Sequence, residues 1–424
     1  MRTLILFCFT QLFLLIANAQ LIKRKVEEAK TKTTERVDTR SSEGIDKALN
    51  KAEEKIGSIF KKKNKKEGSD TIGDKGYDAP VTNTDEQGNT DFTPYKNFDF
   101  IPGEKILFFE DFADGSTGRW GAYDKNDLSI INQENKNWLD VKSSNFFPLG
   151  LKTLPANFTL EFDAYIPDGS SGTLDLRFLH KSQADALADP YLDNSSIIHI
   201  SPVSQMPKTG LGGYVTKVNN EEVSPKNEFT FFSWQPQLGN YYARISFSRK
   251  GNTVSLWINK EKVLSDVDLF VAGTEYVLSF HLQNYFVAEN RMAFTNFRLA
   301  TGAAQPKTEM VTKKKFVTQN IYFDVNSDVI RPNSYSILKE IADGIKDVTG
   351  MVSIIGHTDS DGKDTDNLVL SQKRAASVKR ALVNEFGIAA EKLTTDGKGE
   401  SEPLNKNGNP AEKAQNRRVE FILQ

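Results

Sequence analysis

The chain has 424 residues, with 54 Lys and Arg against 56 Asp and Glu, a formal net charge of -2 and 38% apolar residues. Such a size and composition fit two or three domains joined by polar linker, and the near balance of charge argues against a nucleic-acid partner, which would need a basic field or patch. Its single cysteine, Cys8, leaves no second thiol for an intrachain disulfide and no cysteine downstream for a catalytic thiol or a metal site.

Residues 1–19 carry Arg2, an apolar run over 4–16, and Ala17-Asn18-Ala19 before Gln20, which is the layout of a secretory signal peptide with its cleavage site. That run is too short to span a bilayer, and no later uncharged stretch approaches the roughly 20 residues required, so no transmembrane helix is expected. Cys8 falls inside the apolar run, too early for a lipoprotein cleavage box.

Residues 20–104 are rich in Lys, Glu, Thr, Asp, Asn and Gly and poor in aromatics until Phe92, and they read as a flexible charged tether. Within it Ile45, Leu49, Ala52, Ile56 and Ile59 recur at helical spacing, giving a short amphipathic helix that ends in Lys61-Lys62-Lys63-Asn64-Lys65-Lys66. A solvated basic helix, a helix on an anionic membrane surface and a self-pairing helix all fit this pattern.

Over residues 105–301 the period changes to two. Phe158, Leu160, Phe162, Ala164 and Ile166 alternate with Thr159, Glu161, Asp163 and Tyr165, and Leu174, Leu176 and Phe178 alternate with Asp175 and Arg177. Residues 195–201, 241–248, 253–258, 276–282 and 292–299 read as further strands, with Gly251-Asn252 as a turn. About ten strands and no helix imply an antiparallel sandwich. Phe109-Glu110-Asp111-Phe112 with Trp120, the strand at 158–167 and the arm Val254-Ser255-Leu256-Trp257-Ile258-Asn259-Lys260 resemble a concanavalin A-like or laminin-G-like jelly roll. A transmembrane β-barrel is the competing architecture, disfavoured by short strands and by Pro202, Pro207 and Pro225.

A linker at 302–315 contains Pro306 and Lys313-Lys314-Lys315, and from 316 to 424 the pattern is α/β. Strands are expected at 316–323, 351–355, 393–398 and 418–423. One helix is expected over 332–348, with Ile337, Leu338, Ile341 and Ile345 inward. A second should start near Ser371 as N-cap and run to Gly387. Asp359 follows the second strand and Arg374 stands fifteen positions on. An acid acceptor and a planar donor fork at that spacing suit a zwitterion with an ammonium and a carboxylate on one carbon. Placed in the first turn of its helix, Arg374 would share a carboxylate with free backbone N–H groups. A plain salt bridge between Asp359 and Arg374, stapling strand to helix, is the competing reading.

Ile321-Tyr322-Phe323-Asp324-Val325-Asn326, Gly356-His357-Thr358-Asp359, Asn367, Leu370-Ser371-Gln372-Lys373-Arg374-Ala375, Gly397-Lys398-Gly399-Glu400 and Asn416-Arg417-Arg418-Val419-Glu420 resemble the C-terminal domain of the OmpA family. The resemblance implies a mixed sheet with helices on one face and non-covalent binding of the diaminopimelate of peptidoglycan. In that family the ammonium goes to the acid at Asp359 and the carboxylate to the cation at Arg374, with Asn326, Thr358, Asn367 and Arg417 as lesser contacts. No cofactor or metal is implied; His357 has no second His or Cys at ligand spacing.

The sandwich region offers Glu161 and Asp163 as paired carboxylates of the kind glycosidases use, but a third acid of related enzymes is absent, and alternation puts both on the solvent face. Asp111 and Asp114 are weighed as calcium ligands and read as solvated loop acids. Trp257, opposite Val254, Leu256 and Ile258, is the best candidate for an exposed aromatic platform. Together these readings give a non-catalytic protein of a Gram-negative envelope, in the periplasm and associated with the outer membrane or wall. Peptidoglycan is its expected partner, and the sandwich is left to bind a glycan or an envelope protein. Two alternatives stay open, a wall-tethered glycan-active enzyme and a barrel with a periplasmic anchor, as does membrane contact by the N-terminal region.

Overall fold

The computed structural model describes residues 90–424 except 143–144, 168–169, 171, 188–193, 204–208, 220, 224–226 and 284–290. The expected signal peptide, the tether up to residue 89 and its helix at 45–59 lie outside the described residues.

Two eight-stranded antiparallel sheets occupy the first part. One runs Glu261–Asp268, Thr253–Ile258, Tyr242–Lys250, Asn157–Tyr165, Met292–Thr301, Lys136–Val141, Leu128–Gln133, with Lys105–Glu110 also on Met292–Thr301. The other runs Glu221–Glu222, Gly210–Val218, Ser195–Ser201, Thr173–His180, Tyr276–Gln283, Asn145–Pro148, Trp120–Ala122, with Asn227–Phe231 also on Gly210–Val218. The sheets share one core, in which Phe162 of the first meets Phe280 of the second at 5.6 Å, edge to face. Aromatic pairs of this kind add to the burial that drives such packing. This corrects the barrel alternative: two open sheets close over an apolar core rather than one sheet closing on itself. Among the described residues sixteen strands form where about ten were expected.

Asn157–Tyr165 shows why alternation misread its outer face. Phe158, Leu160, Phe162 and Ala164 enter the core as expected, yet Thr159, Glu161 and Asp163 are buried as well. The second protein layer over that face is the C-terminal domain. Register supplies the counter-charges: Asp163 stands opposite Arg244 on Tyr242–Lys250, and Glu161 opposite Arg298 on Met292–Thr301.

The C-terminal domain is a four-stranded mixed sheet ordered Lys315–Thr318, Val419–Leu423, Val352–His357, Leu393–Gly399, with only the last two strands parallel. Its helices are α1 (Pro306–Lys313), α2 (Tyr335–Lys346), α3 (Asp364–Asn384) and α4 (Pro410–Asn416). Ile337, Leu338, Ile341 and Ile345 of α2 and Ala375, Val378 and Leu382 of α3 enter one core with the strands. The stretch expected as linker instead forms α1, because Pro306 suits a first helical turn and Met310 finds a buried place.

Helix α3 starts at Asp364, not near Ser371, and its first turn carries Asp364 and Asp366. Ser371 is mid-helix and fully buried, its hydroxyl donating to the Leu368 carbonyl at 2.8 Å. Arg374 therefore stands almost three turns into α3, and free N–H groups of a first turn cannot assist it.

The expected tether also ends early, because Phe92, Tyr95, Phe98 and Phe100 are too apolar to remain in water and all four are buried. Phe92 joins the C-terminal core, whereas Tyr95, Phe98 and Phe100 pack with Trp257. Trp257 is thus no exposed platform: it is 4% exposed, and its indole N–H donates to Asp99 Oδ1 at 2.9 Å. Residues 90–104 form a strap across both domains, with Gly103 N donating to Thr159 Oγ1 at 2.8 Å and Asn320 Nδ2 to the Pro102 carbonyl at 3.0 Å. Among the described residues no helix is long and apolar enough to cross a membrane.

Candidate functional site

A cavity of about 650 Å³ lies between the first sheet and the C-terminal domain, and Asn326, Thr358, Asp359, Asn367, Arg374 and Arg417 all line it. Three backbone features bring five of them together, with Asn326 on the stretch between Lys315–Thr318 and α2. Val352–His357 delivers Thr358 and Asp359 at its end, α3 delivers Asn367 and Arg374, and the short passage after α4 delivers Arg417. Strand and helix approach closely because Gly356 has no side chain: a Cβ there would stand 2.3 Å from the Ser371 carbonyl oxygen.

Asp359 and Arg374 do not staple strand to helix. Asp359 Oδ2 accepts from Arg417 Nη1 at 2.6 Å, and Oδ1 accepts from the Asp361 backbone N–H at 3.2 Å. Arg374 Nε donates to the Ser327 carbonyl at 2.9 Å, and the guanidinium carbon lies 4.9 Å from the Phe323 ring centroid. Among the described residues Arg374 makes no ion pair. Burial, with the Arg417 charge beside it, pulls its pKa down to about 10, so it stays a cation at neutral pH. The outcome is an oriented guanidinium that still has donors to offer.

The other expected residues differ in how free they are. Thr358 is 4% exposed, and its Oγ1 is buried without a hydrogen-bond partner. Asn326 is exposed at the rim with φ +53, a left-handed conformation that asparagine tolerates. Asn367 is committed to the loop it faces: Nδ2 lies 2.6 Å from Glu400 Oε2, 3.1 Å from the Asp361 carbonyl and 3.3 Å from that of Asp359. It shapes the Asp359 turn. Of the Asn416-Arg417-Arg418 motif, only Arg417 faces Asp359; Asn416 ties down Asn405 and Asn407, and Arg418 pairs with Glu420.

Sequence reasoning missed the opposite wall. Phe109, Asp111, Lys136, Asn296 and Arg244 of the sheet region line the same cavity. Arg244 donates to Asp163 Oδ1 at 2.9 Å and to Glu161 Oε1 at 3.0 Å, while Asn296 Nδ2 donates to Asp163 Oδ2 at 2.6 Å. Burial alone would push the Asp163 pKa up, but the cations Arg244 and Lys136 hold it below the usual carboxylate range. The paired acids considered for glycoside cleavage are thus locked in ion pairs. Asp114 is held by Arg119 Nη1 at 2.8 Å, and Asp111 Oδ2 lies 3.7 Å from Arg417 Nη2. Among the described residues no group of three or more His, Asp or Glu is placed to hold a metal ion.

A model of the OmpA family matches residues 322–417. Outer membrane porin F of Pseudomonas fluorescens is 43% identical over 109 residues, 26% of this chain and 33% of that protein. Probable lipoprotein YiaD of Escherichia coli (strain K12) is 39% identical over 105 residues, 24% of this chain and 48% of that protein. This chain therefore spans about a third of the porin and about half of the lipoprotein. Among solved structures, the peptidoglycan-associated lipoprotein from Burkholderia pseudomallei shares 31% identity over 24% of this chain and 88% of that one, with a TM-score of 0.23.

Proposed function

With residues 322–417 forming an OmpA family domain, we propose that the chain is a non-catalytic cell-envelope protein that holds to peptidoglycan by gripping the diaminopimelate of a stem peptide. Arg374 receives the ligand carboxylate, Asp359 the ammonium, and Thr358, Asn326 and Arg417 border them. Asn367 shapes the turn that presents Asp359. The observation that carries this reading is the guanidinium of Arg374, half-buried in the cavity and, among the described residues, in no ion pair. Its planar fork suits a ligand carboxylate better than an ammonium would.

In this proposal the protein works in the periplasm, at the wall or the inner side of the outer membrane. Its sheet region is a concanavalin A-like jelly roll that contacts a glycan or an envelope protein; among the described residues Tyr123 and Phe232, 73% and 62% exposed, are aromatics left free for it. The locked state of Glu161 and Asp163 supports the absence of catalysis.

Co-sedimentation with purified peptidoglycan tests the anchor. Asp359→Ala and Arg374→Ala are expected to leave the pellet, and Arg374→Lys to be retained poorly because a point charge lacks the fork. Unchanged retention of both alanine variants would sink the proposal.

A further inference from the structure

The grip on the ligand has a second wall. Arg417 lies between the domains: Nη1 donates to Asp359 Oδ2 at 2.6 Å, Nη2 lies 3.7 Å from Asp111 Oδ2, and the guanidinium carbon stands 5.3 Å from the Phe109 ring centroid. Phe109 belongs to the strand Lys105–Glu110, and Asp111 follows it directly. One guanidinium thus faces two carboxylates, one from each domain, and the nearby Lys413 is taken up by Asp361 at 2.6 Å. The Arg417 charge is shared, and Asp111, at 3.7 Å, is the more loosely held of its two carboxylates. Thr358 Oγ1 is buried without a partner on the wall of the same cavity. A buried hydroxyl of this kind is unfavourable until something bonds to it.

We infer that Asp111 is a second ammonium acceptor, so that a zwitterionic amino-acid group is gripped by both domains, its carboxylate on Arg374 and its ammonium among Asp359, Asp111 and the Thr358 hydroxyl. Arg417 and the ammonium then share the two carboxylates. This rests on the wall-binding reading above and extends it to a residue outside the matched segment 322–417. It also gives the sheet region a part in holding the wall. The domains are fixed to each other by buried contacts, so Asp111 is presented before ligand arrives and little ordering is lost on binding.

The test uses the full chain and purified sacculi, either native or acetylated with acetic anhydride so that free ammonium groups become neutral amides. Asp111→Asn should weaken retention on native sacculi about tenfold and make no further difference on acetylated ones. Asp111→Glu, which restores the charge, should recover most of the loss, and urea unfolding of Asp111→Asn should match wild type. Equal weakening on both kinds of sacculi, no weakening on either, or no rescue by Glu would overturn the inference. Failure of the underlying reading is separate: Arg374→Ala would then sediment like wild type on native sacculi.

Discussion

Tyr322 donates its hydroxyl to Glu161 Oε2 at 2.9 Å and so ties the C-terminal domain to a strand 161 residues earlier. Glu161 is 1% exposed and also faces Arg244 at 3.0 Å and Arg298 at 3.6 Å. Burial, with the Glu161 charge beside it, raises the Tyr322 pKa, so the phenol remains a donor throughout the neutral range.

Removing the phenol and removing the guanidinium should differ in cost. Tyr322→Phe leaves Glu161 with both cations and should lose about 1.5–3 kcal/mol, the usual worth of a hydrogen bond to a charged group. Arg244→Met leaves Glu161 and Asp163 short of a counter-charge in a buried place and should lose about 3–5 kcal/mol. Urea titration with a common slope would rank the two, and a larger loss in Tyr322→Phe would contradict this account of the junction.

Gly356 should tolerate no side chain. A Cβ would stand 2.3 Å from the Ser371 oxygen, which is backbone and cannot rotate away, so α3 must move off the strand. Gly356→Ala is expected to cost about 1–3 kcal/mol as overpacking. It should also lower retention on sacculi more than a destabilised but folded chain would, because Arg374 travels with α3 while Asp359 stays with the strand. Retention equal to wild type in a folded Gly356→Ala protein would refute this coupling.

Most of the C-terminal fold is legible because its apolar residues recur at helical or strand spacing and its polar motifs are dense, although the strand expected at 316–323 stops at Thr318. In the sheet region, the expected bounds of Ser195–Ser201 and Thr253–Ile258 match the strands, since Ile197, Ile198 and Ile200 make the first β-branched and Val254, Leu256 and Ile258 alternate in the second. Lys136–Val141 was not: Asn137 and Asp140 interrupt it, and burial of Asp140 depends on Arg291, far along the chain. The start of α3 was misplaced because Ser371 resembles a cap, whereas the acidic turn at Asp364 and Asp366 was the better signal. Alternation correctly gave Glu161 and Trp257 an outward face. It could not say that α/β domain and strap would cover that face, and for the same reason Asp111 left no mark of its place beside Asp359.

Phe100 should matter more than its place at the end of a polar segment suggests. It is 2% exposed and meets Trp257 edge to face at 5.1 Å. Phe100→Ala should cost about 3–5 kcal/mol, as other large buried aromatics do. It should also shift Trp257 emission to the red as water reaches the indole. An unshifted spectrum would mean that the strap does not shield this tryptophan.

Glu104 makes the junction sensitive to pH. Burial pushes its pKa up to about 7, against the opposing influence of Arg298 and of Thr318, whose hydroxyl donates to Oε1 at 3.0 Å, and Oε2 is buried without a partner. Between the ordinary value near 4.5 and about 7, the folded protein keeps a proton that the unfolded chain has released. Stability should therefore fall as pH rises through that window and level off above it, by up to about 3 kcal/mol. His180 and His281 act in the opposite direction, since burial lowers their pKa values and the unfolded chain then holds the extra proton as pH approaches 6.5. Comparison with Glu104→Gln cancels both histidines. Urea unfolding at pH 5, 6, 7 and 8 should show the variant gaining on wild type as pH rises, and two parallel curves would rule out Glu104 as the titrating group.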